Sequence, residues 1–115
     1  MTAPRVDIDL AKVEHNTRTL VAQLAPKGIR VTGVTKAALA LPSVADAMVR
    51  GGVVGLGDAR IENLTRLKEG GFAVPLTLVR SPMLSQVEMV VRASDTSLNT
   101  EPVVLDALSA AAGQP

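Results

Sequence analysis

The sequence contains no cysteine, no tryptophan and no tyrosine, and Phe72 is its only aromatic residue. Without cysteine there are no disulfides, no thiolate nucleophile and no cysteine-ligated metal site. His15 is the only histidine, so the residue types also argue against a zinc or haem centre. A binding face of stacked aromatic side chains is excluded as well. The sequence therefore excludes thiol chemistry and disfavours metal chemistry.

Charge and hydropathy exclude two further classes of partner. The net charge is only +1 and the twelve lysines and arginines are scattered along the chain, so we expect no nucleic-acid surface. No apolar run is long enough to span a bilayer, and the N-terminus lacks the apolar stretch of a signal peptide. An apolar fraction of 47% with 20% charged residues is typical of a globular protein. We therefore expect a soluble, cytoplasmic protein that binds neither nucleic acid nor membrane.

Short apolar runs alternate with amphipathic segments along the chain. Strands are predicted at 29–35, 53–57, 76–79 and 96–98, and each is followed by a segment with helical periodicity. Such βα repetition, at about 20 residues per unit, predicts a parallel sheet with right-handed crossovers. Asp58 is expected to cap the helix that follows the second of these strands.

A further strand is predicted ahead of the first helix. Residues 5–9 alternate between polar and apolar side chains, and Asp9 is expected to cap the helix that follows. This strand is expected to be detached from the row of four.

The length sets the architecture that the pattern predicts. A closed (β/α)₈ barrel takes about 250 residues, whereas this chain has 115 and supplies four βα units. A four-strand parallel sheet would leave both edges unpaired and one face uncovered. We therefore predict the first four βα units of a partial (β/α)₈ TIM-type barrel, with helices outside, in which residues 1–115 are the N-terminal segment of a truncated domain. A complete small α/β fold is the alternative.

Polar residues follow the predicted strands at the edge where parallel α/β folds bind ligands. They are Lys36, Asp58, Arg80 and Asn99. Lys36 differs from the other lysines, which lie in predicted helices or loops. Loss of hydration at a strand end would favour the neutral amine, which is the form that condenses with a carbonyl group. The alternative is a lysine that extends from the sheet edge into water.

Two other features of the sequence are candidate sites. Gly55-x-Gly57 followed by a helix resembles part of a phosphate-binding turn, but Arg60 occupies the place of the third glycine. Glycines that allow close packing of helix on strand are the favoured interpretation, and a nucleotide-binding α/β module remains an alternative. Arg80 is the only arginine that directly ends an apolar strand run, so it is a candidate for contact with an anionic group. An arginine that reaches solvent is the other interpretation.

Four segments, in order, resemble the alanine racemase family. They are VDIDLAKVEHN at 6–16, GVTK at 33–36, LGDARIENL at 56–64, and RSPMLSQVE at 80–88 together with SLNT at 97–100. The last two resemble the alanine/ornithine racemase branch more specifically. The similarity extends over nearly the whole chain.

The resemblance implies a (β/α)₈ barrel followed by a β-rich domain, working as a homodimer on a small amino-acid substrate. It implies pyridoxal 5'-phosphate as cofactor, with Lys36 as the Schiff-base lysine and one of two racemisation bases. Arg80 is a candidate for contact with the cofactor or substrate because of its place at the end of a strand, and not because of the resemblance. The second base, a tyrosine in the family, and the phosphate-binding loops of later strands are not in this sequence.

The substrate and one rival function stay open. The Tyr-Gly that follows the lysine in typical alanine racemases is replaced by Ala-Leu-Ala-Leu at 38–41, so alanine is not singled out as the substrate. A single-domain pyridoxal-phosphate carrier protein, without robust catalytic activity, resembles the same barrel. Its members begin with a helix, and the predicted strand at 5–9 therefore favours the racemase.

Overall fold

Four parallel strands alternate with helices in a computed structural model that describes residues 3–113. The predicted domain's ends, 1–2 and 114–115, lie outside the described residues. The strands are β1 (Thr32–Val34), β2 (Gly55–Asp58), β3 (Leu76–Leu78) and β4 (Thr96–Ser97), and the helices are α1 (Leu10–Leu24), α2 (Pro42–Gly51), α3 (Ile61–Glu69), α4 (Val87–Ala93) and α5 (Pro102–Ala112). Short 3₁₀ turns lie at Ala25–Lys27, Lys36–Ala38 and Leu84–Gln86.

The sheet has the strand order β1-β2-β3-β4, and every neighbouring pair is parallel. Thr32 is in register with Gly55, and Leu56 with Leu76. Successive strands are therefore spatial neighbours, as in a barrel and not as in a doubly wound sheet. The predicted fold class, the first four βα units of a (β/α)₈ barrel, is confirmed.

The two faces of the sheet differ because strand side chains alternate between them. One face packs under the helices, and its buried leucines join α3 in the core, which includes Leu56, Leu76, Leu78, Ile61, Leu64 and Leu67. The other face, here called the inner face, carries Thr32, Val34, Gly55, Gly57 and Thr77.

The inner face is open to solvent at β1, where Val34 is 40% exposed, whereas Gly55 and Gly57 of β2 are buried. The radius of gyration is 15.9 Å, whereas a compact domain of this length has about 13 Å. The exposure of Val34 and the large radius of gyration are both typical of an open part of a barrel.

The first helix is held mainly by α2. The carboxylate of Asp9 accepts a hydrogen bond from the Lys12 amide at 3.1 Å, so the predicted N-cap is confirmed. Gly51 of α2 lies against Thr17, where an added Cβ would come within 2.5 Å of the threonine Cβ.

No helix within residues 3–113 has the length and apolar character needed to cross a membrane.

Three local predictions need correction. Residues 5–9 form no strand in the described chain, because a strand requires a hydrogen-bonded partner and none lies beside them. They are detached from the four-strand row, as predicted. The strand predicted at 29–35 is paired only over Thr32–Val34. Asp58 is the last residue of β2 and does not cap α3, whose N-cap is Arg60.

Candidate functional site

The polar residues predicted at strand ends lie along one edge of the sheet. Lys36 follows β1, Asp58 ends β2, Arg80 follows β3 and Asn99 follows β4. Since all four strands are parallel, these residues share the carboxyl edge. Lys36 and Arg80 are separated by β2, and neighbouring strands lie about 4.8 Å apart. The edge therefore carries an amine and a guanidinium on strands that are not adjacent.

Lys36 begins a 3₁₀ turn directly after β1 and its side chain is exposed. The loss of hydration expected at a strand end is not found within the described chain. The physical reason is the open inner face, which leaves water in contact with the end of β1. The structure therefore confirms the place of Lys36 at the carboxyl edge, but not its burial.

The inner face next to the end of β1 is formed by glycine. Gly57 is in register with Val34, and Gly55 with Thr32, so β2 presents no side chain on this face at either position. A Cβ at Gly57 would lie 3.3 Å from both the Thr77 carbonyl oxygen and a Val79 methyl group. The two glycines leave a flat shelf beside β1.

Both interpretations of Gly55-x-Gly57 from the sequence are wrong. Both glycines lie inside β2 and pair with β1, so they form no phosphate-binding turn. They also do not admit a helix, because they lie on the inner face. Gly33 has that role instead, since a Cβ there would come within 2.8 Å of the Met48 sulfur.

Asp58 is the most deeply buried charged residue at this edge, with no exposed surface. Its carboxylate accepts hydrogen bonds from the Thr35 hydroxyl at 2.8 Å, the Arg60 amide at 2.9 Å and the Asn63 side-chain amide at 3.0 Å. Asn63 in turn accepts from Arg66, which also donates to the Leu39 carbonyl at 3.1 Å. Thr35, Asp58, Asn63 and Arg66 are called the Asp58 cluster below.

Arg80 lies apart from Lys36. It lines a shallow pocket between the start of α3 and the segment after β3, together with Arg60, Glu62 and Gln86. Lys36 is not among the residues that line this pocket. Arg80 is exposed, and the two arginines of this pocket are accompanied by the carboxylate of Glu62.

Asn99 ends the row at β4. Its side-chain nitrogen donates to the carbonyl and hydroxyl oxygens of Ser97, at 3.2 Å and 3.0 Å. Its side-chain oxygen is buried and has no hydrogen-bond partner among the described residues. Buried polar atoms are ordinarily hydrogen-bonded. The side-chain oxygen of Asn99 is therefore an exception within the described chain, and it lies at the carboxyl edge of the sheet.

The sequence singled out Lys36, Asp58, Arg80 and Asn99, but not Thr35, Asn63 or Arg66. Asn63 is 3% exposed and lies in α3 between the inward-facing Ile61 and Leu64. A polar residue within an apolar helix stripe is the signal that could have identified it. No sequence pattern pairs Thr35 with Asp58, because they are 23 residues apart and meet only through the β1–β2 ladder.

Comparisons with known proteins agree on one family. The family model described as "Alanine racemase, N-terminal domain" matches residues 8–115. A lysine racemase from Thermotoga maritima is 36% identical over 104 residues, which are 90% of this chain and 29% of that protein. An ornithine racemase from Acetoanaerobium sticklandii is 34% identical over 110 residues, covering 95% of this chain and 30% of the relative.

The fold is shared with a solved structure. The crystal structure of alanine racemase from E. faecalis matches with a TM-score of 0.74 at 23% identity, covering 89% of this chain and 28% of that chain. The chain spans about three-tenths of the length of the curated relatives that it matches.

Proposed function

Because the chain belongs to the alanine racemase family, whose N-terminal domain it matches over residues 8–115, we propose that it is part of a pyridoxal-phosphate-dependent amino-acid racemase. Both curated relatives are racemases by name, one for lysine and one for ornithine. In this proposal residues 1–115 supply the first four βα units of a larger barrel domain, and Lys36 is the residue that holds the cofactor.

The place of Lys36 is the observation that carries the proposal. It is the one lysine of the described chain at the carboxyl edge of the sheet, where barrel enzymes bind their ligands. Lys12 lies in α1, Lys27 in the turn after α1, and Lys68 in α3, where its amine donates to the Arg92 carbonyl. Those three belong to the helical layer.

The residues present fit the reactive end of pyridoxal phosphate. The exposed amine of Lys36 follows Val34 on β1, and the glycine shelf of β2 lies beside that strand. Glycine in a strand allows a close approach to its backbone, which a flat aromatic ring requires, and the Thr32 and Val79 side chains border the Gly57 position. Tight retention also needs groups that bind the phosphate. The resemblance places those groups in later strands.

The chemistry divides between cofactor and chain. When bound, the cofactor supplies an electron-withdrawing ring that delocalises the charge left at the substrate Cα on loss of its proton. In our proposal the Lys36 amine is the attachment point and also moves the Cα proton on one side of the substrate. Inversion needs a second base on the opposite side. Residues 1–115 contain no tyrosine, so the tyrosine that the resemblance implies must come from outside them.

Several features of the whole protein belong to the same proposal. The substrate is a small amino acid, for which lysine, ornithine and alanine are the compounds to test. A homodimer and a cytoplasmic location also remain predictions. The pyridoxal-phosphate carrier is the rival function, and it differs in one measurable property, since it would hold the cofactor at Lys36 without racemising an amino acid.

Borohydride reduction of the full-length protein with pyridoxal phosphate, followed by peptide mapping, tests the role of Lys36. We expect the pyridoxyl label on Lys36 alone and loss of racemase activity in Lys36→Ala, because the attachment point and one base are then missing. Lys68→Ala is the matched control and should keep both properties. Label on Lys12, Lys27 or Lys68 would defeat the assignment. Label on Lys36 in a protein that racemises none of the three amino acids would favour the carrier.

A further inference from the structure

The backbone on the N-terminal side of Lys36 is fixed to the neighbouring strand. The Thr35 amide donates to the Gly57 carbonyl at 2.9 Å, and the Thr35 hydroxyl lies within hydrogen-bonding distance of the same carbonyl and of Asp58. Thr35 is 1% exposed, although Lys36 next to it is exposed. The residue before the lysine therefore has a buried anchor that the lysine itself lacks.

The C-terminal side of Lys36 is held as well. Leu39 and Ala40 have φ values of 52° and 54°, in the left-handed region that non-glycine residues rarely adopt. Such a conformation persists only where surrounding contacts impose it. Two contacts do so here, because Ala40 donates to the Thr35 carbonyl at 3.1 Å and the Leu39 carbonyl accepts from Arg66 at 3.1 Å.

One buried carboxylate connects these two anchors. Asp58 accepts from Thr35 and from Asn63, and Asn63 accepts from Arg66. The hydrogen-bond donors to Asp58 in the described chain are a hydroxyl, a backbone amide and a side-chain amide, so no cation directly offsets its burial. Burying a carboxylate without a cation is costly, and hydrogen bonds from neutral donors offset only part of that cost. The link that Asp58 makes between Thr35 and Arg66 therefore explains its burial better than a contribution to stability does.

We propose that the Asp58 cluster is a positioning device for Lys36, which holds the turn after β1 from both sides and so limits where the lysine amine can lie. This inference rests on the proposed function. A lysine side chain has four rotatable carbon bonds and an exposed amine, so a mobile backbone at residues 35–40 would spread the amine over many positions. A fixed backbone removes that part of the amine's freedom, and such preorganisation accelerates reactions between bound groups.

The test measures how fast pyridoxal phosphate attaches to Lys36 in the full-length protein. Attachment is followed by absorbance and checked by borohydride mapping. Thr35→Val removes the hydroxyl and keeps nearly the same side-chain shape. Arg66→Met removes the exposed guanidinium that donates to the Leu39 carbonyl. Each should slow attachment about five- to tenfold, the effect of losing roughly one hydrogen bond.

Matched controls separate positioning from folding. Thr65→Val removes a hydroxyl that bonds only within α3, and Arg92→Met removes an exposed guanidinium from α4. Both should label at the wild-type rate. Thr35→Ser keeps the hydroxyl and should restore the wild-type rate, which a packing defect at residue 35 would not allow. If Thr35→Val does not fold, Arg66→Met carries the test, because its side chain is exposed.

Amide hydrogen exchange of residues 36–40, measured without cofactor, gives an independent readout. Faster exchange together with slower labelling in Thr35→Val and Arg66→Met would support the proposal. Labelling as fast as in the controls would overturn it, whatever the exchange rates show. Wild-type protein that carries no label on Lys36 would instead refute the proposed function, and the inference with it, so the two failures are distinguishable.

Discussion

At the scale of single residues, side chains that are close in the sequence or share the sheet edge have different surroundings in the candidate site. Lys36 is exposed, while Thr35 beside it is buried and bonded to Asp58. Arg80 occupies the same sheet edge but lines a separate pocket. Two predictions follow from individual side chains, one for Arg80 and one for Leu39.

Arg80→Ala tests whether Arg80 contacts cofactor or substrate. A charge-assisted hydrogen bond contributes about 1.5–3 kcal/mol, so its loss should reduce cofactor affinity or turnover of the full-length protein by about 10- to 100-fold. Arg92→Ala removes an exposed arginine from α4 and is the control. Turnover and cofactor affinity that do not change in Arg80→Ala would show that this arginine only reaches solvent.

Leu39→Val tests the left-handed turn after Lys36. Leu39 has φ 52° and is 60% exposed, so the change removes little buried surface. β-Branched residues tolerate positive φ poorly, and we expect the free energy of unfolding to fall by about 1–2 kcal/mol. Leu41→Val is the matched control, because Leu41 is 44% exposed with φ −56°. Urea denaturation measures both, and equal midpoints would contradict the expected strain.

At the scale of elements, α1 is joined to the barrel segment through α2. Gly51 allows the two helices to approach closely, and a group of charged side chains lies beside that contact. Glu14 accepts from Arg50 at 2.6 Å and from Arg18 at 2.9 Å, and Arg50 also pairs with Asp46. None of the side chains of the described α1 is fully buried, so these polar contacts carry part of its attachment.

The attachment of α1 should weaken in acid. Hydrogen bonds from Arg50, then from Arg18, lower the pKa of Glu14 below its usual value. A group whose pKa is lower in the folded state contributes stability above its unfolded pKa, and the contribution is lost as pH falls through the folded pKa. Wild-type protein should therefore have a higher urea midpoint than Glu14→Gln at pH 7, and the difference should vanish below the folded pKa of Glu14. A difference that is independent of pH would contradict this assignment.

At the scale of the whole molecule, the described residues form an open half of a barrel. The inner face is uncovered, and β1 and β4 are edge strands with unpaired backbone groups. In the relatives about seven-tenths of the chain lies outside the matched part, since the match covers 29% and 30% of their lengths. The properties of these residues in isolation should therefore differ from those of a complete barrel.

Residues 1–115 expressed alone should neither racemise amino acids nor retain pyridoxal phosphate tightly. Attachment to a single lysine is reversible, and retention needs phosphate-binding groups that the resemblance places in later strands. The exposed inner face and strand edges should also make the isolated chain weakly stable or self-associating. Sedimentation velocity, cofactor retention on gel filtration and a racemase assay test these expectations. A monomeric, cooperatively folded, yellow and active preparation would contradict them.

The sequence by itself determined the order and type of the main elements. Short apolar runs predicted the four strands, helical periodicity predicted the intervening helices, and Asp9 caps α1 as expected. These features depend on contacts between residues close in the chain, so local pattern is sufficient to predict them. The place of Lys36 at the carboxyl edge follows from the same alternation of strands and helices along the chain.

Only the tertiary structure decided how the edge is assembled. Residues 5–9 have a strand pattern but no strand, because pairing depends on a partner that local sequence does not specify. Gly55 and Gly57 form a shelf and not a phosphate loop, since strand register sets the face on which they lie. Thr35 and Asp58 meet across two strands and Asn63 joins them from α3, so a buried carboxylate came to anchor the turn of an exposed lysine. Such contacts join residues far apart in the chain, and their geometry is fixed only when the sheet and helices pack together.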